Sequence, residues 1–216
     1  MRLAVLAALV AATAIPLSAQ AFGIGARAGT TGLGGDVGWR IAPTLSARIG
    51  YSALNWNRDF STDDLRYDGR LELRNASGLI DFHPLGPLFR VTGGVIYTGG
   101  SEYDVRTRSD QFTLRGNTYT GASLRGTVEP GRSFAPYLGI GWGRVSGAGV
   151  NFYADIGVMF TGSPKARLRA SCGTALSAAA CAQLRSDVAR EEDELEDELD
   201  AFKYYPVVNF GLTVGF

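Results

Sequence analysis

The chain has 216 residues, and its 21 Lys and Arg balance 21 Asp and Glu, so the formal net charge is zero. This balance disfavours a nucleic-acid partner, because phosphate binding requires a surplus of basic residues. The length is that of one domain, and glycine is unusually frequent at 29 residues.

The first 21 residues have the features of a secretory leader. Arg2 precedes the apolar run 3–15, and Ala19-Gln20-Ala21 fits a cleavage site of small residues. The run is shorter than the roughly 20 residues that span a bilayer. We therefore predict a signal peptide at 1–21, in preference to a buried N-terminal helix, and an exported mature chain that begins at Phe22.

From Phe22 onward, apolar and polar residues alternate with a period of two, which is the pattern of half-buried strands. The alternating segments, in chain order, are 22–29, 36–41, 45–52, 76–82, 89–98, 134–142, 150–160 and 206–216. The stretch 120–130 alternates more weakly, which leaves open an extra strand or an extended hairpin.

Each alternating segment has one apolar face and one face of Gly, Ser, Thr, Asn and isolated charges. The polar face of a soluble sandwich would carry many Lys and Glu residues. A narrow barrel in lipid explains the sparse charge on the polar face, because its apolar face contacts hydrocarbon and its polar face lines a small interior. A soluble lipocalin-like barrel is the alternative, although its alternation runs the other way.

Short and long connections alternate along the chain. The short ones are 42–44, 83–87 and 146–149, and the long polar ones are 57–68, 100–133 and 163–204. Outer-membrane barrels have short periplasmic turns and long extracellular loops. The predicted fold is therefore all-β: an antiparallel, transmembrane up-and-down β-barrel of about eight strands over 22–216, with both termini in the periplasm.

The segments GGDVGWRIAPTLSARIGYS, APYLGIGWG and FGLTVGF resemble the small outer-membrane barrels of Gram-negative bacteria, namely the OmpA transmembrane domain, OmpX, OmpW and the opacity proteins. The resemblance covers Phe22 to Phe216 in pattern and implies location in the outer membrane. It implies three partners, which are outer-membrane lipid, lipopolysaccharide and the barrel-assembly machinery, and we expect a monomer. It also implies an assembly signal formed by Phe210, Leu212, Val214 and Phe216, although Gly215-Phe216 replaces the Tyr-Arg-Phe ending of many relatives.

Charged residues on the predicted inward register form the first candidate site. They are Arg27, Arg40, Arg48, Asp81, Arg90 and Asp155. We expect Arg40, Arg48, Asp81 and Arg90 to share one layer, because each lies within a few residues of a predicted periplasmic turn. Buried charges must be paired, and arginine can reach several acceptors. An eight-stranded interior is just wide enough for side chains, so a salt-bridged plug is favoured over the gate or selectivity filter of a narrow pore.

The last long loop, 163–204, holds the second candidate. An exported pair of cysteines predicts one disulfide, between Cys172 and Cys181. Helical spacing over 174–202 places five apolar residues on one stripe: Leu184, Val188, Leu195, Leu199 and Phe202. Eight of the ten residues from Glu191 to Asp200 are acidic. An amphipathic helix on the barrel rim is favoured over divalent-cation capture, because calcium sites mix carboxylates with a turn and a glycine.

Enzyme chemistry is not expected. His83 is the only histidine, and it falls in a predicted periplasmic turn, at the wrong end for an outer-leaflet lipid. Two thiols and one histidine cannot supply the four ligands of a structural zinc, and we expect neither a metal nor a cofactor. The sequence thus favours a structural or surface-interaction role through the long loops, and the alternative is a narrow porin-like channel for small solutes.

Overall fold

The computed structural model describes residues 22–62, 65–107 and 111–216, and the predicted leader lies outside these residues. The described part contains thirteen strands, one α-helix (α1, Ala178–Leu199) and a 3-10 turn at Asp200–Lys203. The strands are β1 Phe22–Gly29, β2 Gly32–Ala42, β3 Leu45–Thr62, β4 Leu65–Phe82, β5 Phe89–Tyr97, β6 Glu102–Thr107, β7 Gln111–Leu114, β8 Asn117–Thr120, β9 Ser123–Glu129, β10 Phe134–Gly143, β11 Gly149–Phe160, β12 Lys165–Ser171 and β13 Tyr204–Gly215.

The predicted alternating segments lie in β1 to β5, β10, β11 and β13. Antiparallel pairing links these strands in chain order, β5 pairs with β10, and β13 returns to pair with β1, so the pairings close on themselves. The other five strands lie in the loop regions 100–133 and 163–204, where the sequence predicts no strand except the open possibility at 120–130.

The sheet forks at β4. Residues 76–82 of β4 pair with β5, whereas residues 67–72 pair with β6. β6 then pairs with β9, and β9 pairs with β12. We call residues 67–72 of β4, with β6, β9 and β12, the outer sheet. It lies at the end of the barrel opposite the short turns, and β12 is its edge strand.

The closed sheet exposes apolar residues on its outer surface and buries charged residues on its inner surface. Large apolar side chains are exposed on its outer surface, among them Leu138, Phe152 and Phe210. On the inner surface, Arg48, Asp81 and Arg90 are buried. Toward the outer-sheet end, the interior is filled by an apolar cluster of Leu79, Ile96, Ala135, Tyr137, Met159 and Val207. The interior is therefore a packed core that changes from charged to apolar along its length.

A second core joins α1 to the hairpin of β7 and β8. It consists of Phe112, Leu114, Tyr119, Ala122, Leu184 and Val188. The hairpin turns through Arg115 and Gly116, whose φ angles of 50° and 83° match the twist of paired strands. Ser177 caps α1 by accepting a hydrogen bond from the Ala180 amide at 3.2 Å. No helix in the described ranges has both the length and the apolarity needed to cross a membrane.

Candidate functional site

Four charged side chains from four different strands form one layer across the barrel interior. Arg48 on β3 contacts Asp155 on β11 at 2.7 Å and Asp81 on β4 at 3.3 Å. Arg90 on β5 contacts the same two carboxylates, at 2.6 Å for Asp155 and 3.4 Å for Asp81. Each aspartate therefore bridges both guanidinium groups, and the layer has no net charge.

Further contacts hold this charged layer in place. Thr92 Oγ1 donates to Asp81 Oδ1 at 2.6 Å, and Arg90 Nη1 donates to the Gly143 carbonyl at 2.8 Å. The guanidinium carbons of Arg48 and Arg90 lie 5.3 and 5.1 Å from the ring centre of Tyr153, within the range of cation–π attraction. Because the Arg48 and Arg90 side chains are 1% and 0% exposed, their charge is balanced by protein groups.

A second ion pair lies on the strands where the barrel closes. Arg27 Nη1 on β1 lies 2.9 Å from Asp36 Oδ1 on β2, and both side chains are buried. Tyr153 donates its hydroxyl proton to Asp36. This tyrosine therefore contacts the Arg27–Asp36 pair as well as the two arginines of the charged layer. Among the described side chains, the inner surface thus carries three buried arginines and three buried aspartates, which are Arg27, Arg48, Arg90, Asp36, Asp81 and Asp155.

Inward-facing glycines provide the space that these side chains fill. A Cβ atom at Gly141 would lie 2.6 Å from Asp155 Oδ1 and 2.7 Å from Arg90 Nε. A Cβ atom at Gly211 would overlap the ring of Tyr153, and one at Gly139 or Gly157 would overlap the hydroxyl of Tyr137. The high glycine content therefore has a local reason, since ring and guanidinium groups occupy the positions that inner-wall side chains would otherwise take.

The structure brings five of the six predicted lumen residues into these contacts, and Arg40 is the exception. Arg40 is exposed at the end of β2, beside a register irregularity between Arg40 and Ala42, so its placement in the charged layer is wrong. The physical reason is charge balance, because a third arginine in the layer would lack a carboxylate partner. Arg40 instead lines a small cavity of about 120 Å³ at the short-turn end, with His83 and Arg144.

Asp36 is not among the predicted lumen residues, although its position in the sequence indicates that it faces inward. Asp36 precedes Gly38 by two residues and so shares the inward face of β2. Its partner, Arg27, faces inward from β1, and β1 and β2 form a hairpin. Opposite charges on the inward faces of the two strands of a hairpin are sufficient to predict the ion pair between Arg27 and Asp36.

The remaining predicted site residues lie at the two ends of the molecule. The predicted disulfide between Cys172 and Cys181 is present, with Cα atoms 5.8 Å apart, and it links the region after β12 to the first turn of α1. His83 lies in the short-turn region, where burial lowers its pKa although Asp81 opposes this shift. Exposed outer-surface side chains include Phe210, Leu212, Val214 and Phe216, and their role in assembly stays a prediction.

Two glutamates of the acidic run of α1 contact the outer sheet. The Leu168 amide donates to Glu192 Oε2 at 2.6 Å, and the Ala166 amide donates to Glu196 Oε1 at 3.1 Å. These amides belong to the edge strand β12, whose free donors would otherwise be available to another strand. The described residues contain no cluster of His, Cys, Asp and Glu that could hold a metal ion. Glu192 and Glu196 therefore have a structural role in this loop.

Comparison with known proteins gives a likeness of fold. No family model matches the chain, and no curated protein matches it. Among solved structures, Acinetobacter baumannii CarO is similar at 22% identity and a TM-score of 0.61, over 91% of this chain and 98% of that one. A structure of A. baumannii CarO2 has the same identity and a TM-score of 0.60, over 90% of this chain and 97% of that one. The likeness supports an antiparallel β-barrel fold and does not select the OmpA, OmpX, OmpW or opacity-protein type.

Proposed function

We propose that this chain is an outer-membrane protein whose closed, eight-stranded barrel carries a structured domain on the cell surface. Its role is structural or one of surface interaction, and the loop regions 100–133 and 163–204 supply the contact surface. The observation that carries the proposal is the inversion of the barrel wall. Apolar side chains such as Leu138 and Phe152 are exposed outside, while ion pairs are buried inside, which is stable when hydrocarbon surrounds the wall.

The orientation follows from the lengths of the connections. The turns after β2, β4 and β10 are short, whereas the outer sheet, the β7–β8 hairpin and α1 lie at the other end. In barrels of this kind, short turns face the periplasm and long loops face the exterior. We therefore propose that α1 faces the medium, next to lipopolysaccharide, and that the protein reaches this position through signal-peptide export and the barrel-assembly machinery.

A narrow channel is the second candidate. The small cavity lined by Arg40, His83 and Arg144 favours it, because a cationic mouth would attract anions. The charged layer above that mouth argues against it, since Arg48, Asp81 and Arg90 fill the interior and are fully buried. We therefore rank the closed barrel first. The proposal includes no catalytic role, because His83 lies at the opposite end of the barrel from the proposed surface domain.

Labelling of single cysteines on intact cells tests the orientation. Ala189→Cys places a thiol on the exposed face of α1, and Ala148→Cys places one in the exposed turn between β10 and β11. We expect a membrane-impermeant maleimide to label the α1 variant on intact cells and the turn variant only after lysis. The disulfide between Cys172 and Cys181 leaves neither native cysteine to react. Equal labelling of both variants on intact cells, or of neither, would contradict the proposal.

A further inference from the structure

An apolar cavity of about 610 Å³ lies between α1 and the outer sheet. Its lining includes Leu71, Tyr103 and Val128 on the sheet side and Leu195, Leu199 and Phe202 on the helix side. Small-molecule sites in proteins have volumes of about 300–1,000 Å³ and are mostly apolar. Neither the buried charge pairs nor the barrel wall accounts for this cavity.

The cavity is held open by contacts on either side of it. The carboxylates of Glu192 and Glu196 bond to the edge of β12, which fixes the distance between α1 and the sheet. At the far end of the helix, Asp200 accepts hydrogen bonds from Ser163 Oγ at 2.5 Å and Lys203 Nζ at 2.6 Å. The bonds of Glu192, Glu196 and Asp200 thus attach the C-terminal half of α1 to β12 and to Ser163, and the cavity is present without a ligand.

The floor of the cavity separates it from the barrel interior. Tyr205 lines the cavity, packs on the apolar cluster inside the barrel and donates its hydroxyl to the Thr30 carbonyl at 2.8 Å. Tyr205 therefore lies between the cavity and the apolar cluster inside the barrel. The cavity is separate from the barrel interior.

One side of the cavity changes from apolar to polar. Ser101, Glu102, Glu129 and Pro130 line both the apolar cavity and a neighbouring recess of about 320 Å³. The recess also contains Glu72, Arg74 and Arg132, and Arg74 pairs with Glu72, so three carboxylates and two guanidinium groups face it. Such a lining suits a head group that carries no net charge and forms hydrogen bonds.

We infer that the cavity binds one amphiphile, with its alkyl chain between α1 and the outer sheet and its uncharged or zwitterionic head in the recess. The inference rests on the proposed function, because the cavity faces the medium only if α1 lies on the cell surface. The chain can come from a free amphiphile such as a long-chain alcohol or from a phospholipid of the membrane. Both sources present the same chemistry to Leu195 and Val128.

The test uses the full-length mature protein, folded in lipid nanodiscs, and a long-chain alcohol that carries a photoreactive diazirine on its tail. Cross-linked peptides are identified by mass spectrometry. We expect labelling of 195–202 and of β6 or β9 that saturates and is competed by unlabelled dodecanol. Labelling of the lipid-facing strands β5 and β10 should not saturate, because it reflects partition into the bilayer. A second preparation carries the same diazirine chain on a phospholipid, and its labelling pattern identifies the source.

Two variants fill the cavity from opposite sides, and a third is their control. Leu199→Trp and Val128→Phe should each lower the saturable labelling at least about tenfold, because the added ring occupies the space of the chain. Ala189→Trp lies on the exposed face of α1 and should leave labelling unchanged. Heat-modifiable migration on gels shows that each variant is folded. Wild-type labelling that does not saturate with either probe, or that persists in both filled variants, would overturn the inference, whereas failure of the cell-surface labelling would overturn the proposed function.

Discussion

The two aspartates of the charged layer have an unusual position, since each contacts both arginines. Asp81 lies 3.3 Å from Arg48 and 3.4 Å from Arg90, and its side chain is 0% exposed. Removing its charge leaves two guanidinium groups with one carboxylate between them. Breaking one partner of a buried ion pair typically costs about 3–5 kcal/mol, because the remaining charge is desolvated without compensation.

Asp81→Asn should therefore destabilise the barrel by about 3–5 kcal/mol. The measurement is the temperature at which the compact, heat-modifiable form is lost on gels. Asp197→Asn provides the matched control, since Asp197 lies on the exposed face of α1 and should leave that temperature unchanged. If both variants lose the compact form at the wild-type temperature, the charged layer does not hold the barrel together.

Gly211 tests whether the inner wall is fully packed. A Cβ atom there would overlap the ring of Tyr153, whereas a Cβ atom at Gly78 on β4 would meet no atom within 4 Å. Gly211→Ala should destabilise the barrel by about 1–3 kcal/mol, the usual effect of overpacking, and Gly78→Ala should not. Equal unfolding temperatures for the two variants would show that Tyr153 has room to move.

At the scale of elements, a buried carboxylate links α1 to the β7–β8 hairpin, in addition to their shared apolar core and the exposed ion pair between Arg115 and Glu194. Asp187 accepts hydrogen bonds from Tyr119 Oη at 2.6 Å and Asn117 Nδ2 at 2.8 Å. The bond from Tyr119 is the main reason that the pKa of Asp187 lies below its usual value. Burial, followed by the bond to Asp187, raises the pKa of Tyr119 to about 12.

These shifts give the direction in which docking of the hairpin depends on pH. A carboxyl group whose pKa is lower in the docked state stabilises docking above its unfolded pKa of about 4. This stabilisation is lost as the pH falls through the pKa of the docked state. A phenol whose pKa is raised in the docked state stabilises docking below its unfolded pKa of about 10. This stabilisation is lost as the pH rises toward 12. We therefore expect amide hydrogen-exchange protection of 111–120, corrected for the intrinsic rate, to be constant from pH 5 to 9 and lower at pH 3.

Asp187→Asn should reduce this protection at pH 7 and remove its change in acid. Asp193→Asn, at an exposed position on the same helix, should behave like the wild type. Protection that stays the same at pH 3 and pH 7 in the wild-type chain would show that Asp187 does not control docking.

The elements differ in how far the sequence predicts them. The period-two pattern is clear in the longer strands, which are β1 to β5, β10, β11 and β13. The same register places their charged residues on the inward face. β7 and β8 have four residues each, and β6 and β12 have six and seven, so their patterns are too short. The fork at β4 depends on pairing between 67–72 and 102–107, which involves contacts distant in sequence. The position of Arg40 does not follow from the register either, because β2 has a register irregularity between Arg40 and Ala42 and the two carboxylates of the charged layer are already shared by Arg48 and Arg90.

At the scale of the whole molecule, the described residues form two cores. The barrel buries its ion pairs and exposes its apolar wall, the arrangement on which the proposed membrane location rests. The loop domain buries Leu184 and Val188 against the β7–β8 hairpin, as a soluble protein does. In the proposed arrangement, the loop domain lies outside the membrane and binds an amphiphile while the barrel interior remains filled.

The planar-bilayer conductance of the purified wild-type protein tests the central claim most directly. With Arg48, Asp81, Arg90 and Asp155 filling one layer, we predict no steady current above that of the bare bilayer. Asp81→Asn should give a small, noisy current, because two guanidinium groups that share one carboxylate repel each other and draw in water. A steady single-channel current through the wild-type protein, of either ion selectivity, would contradict the closed barrel and establish the channel in its place.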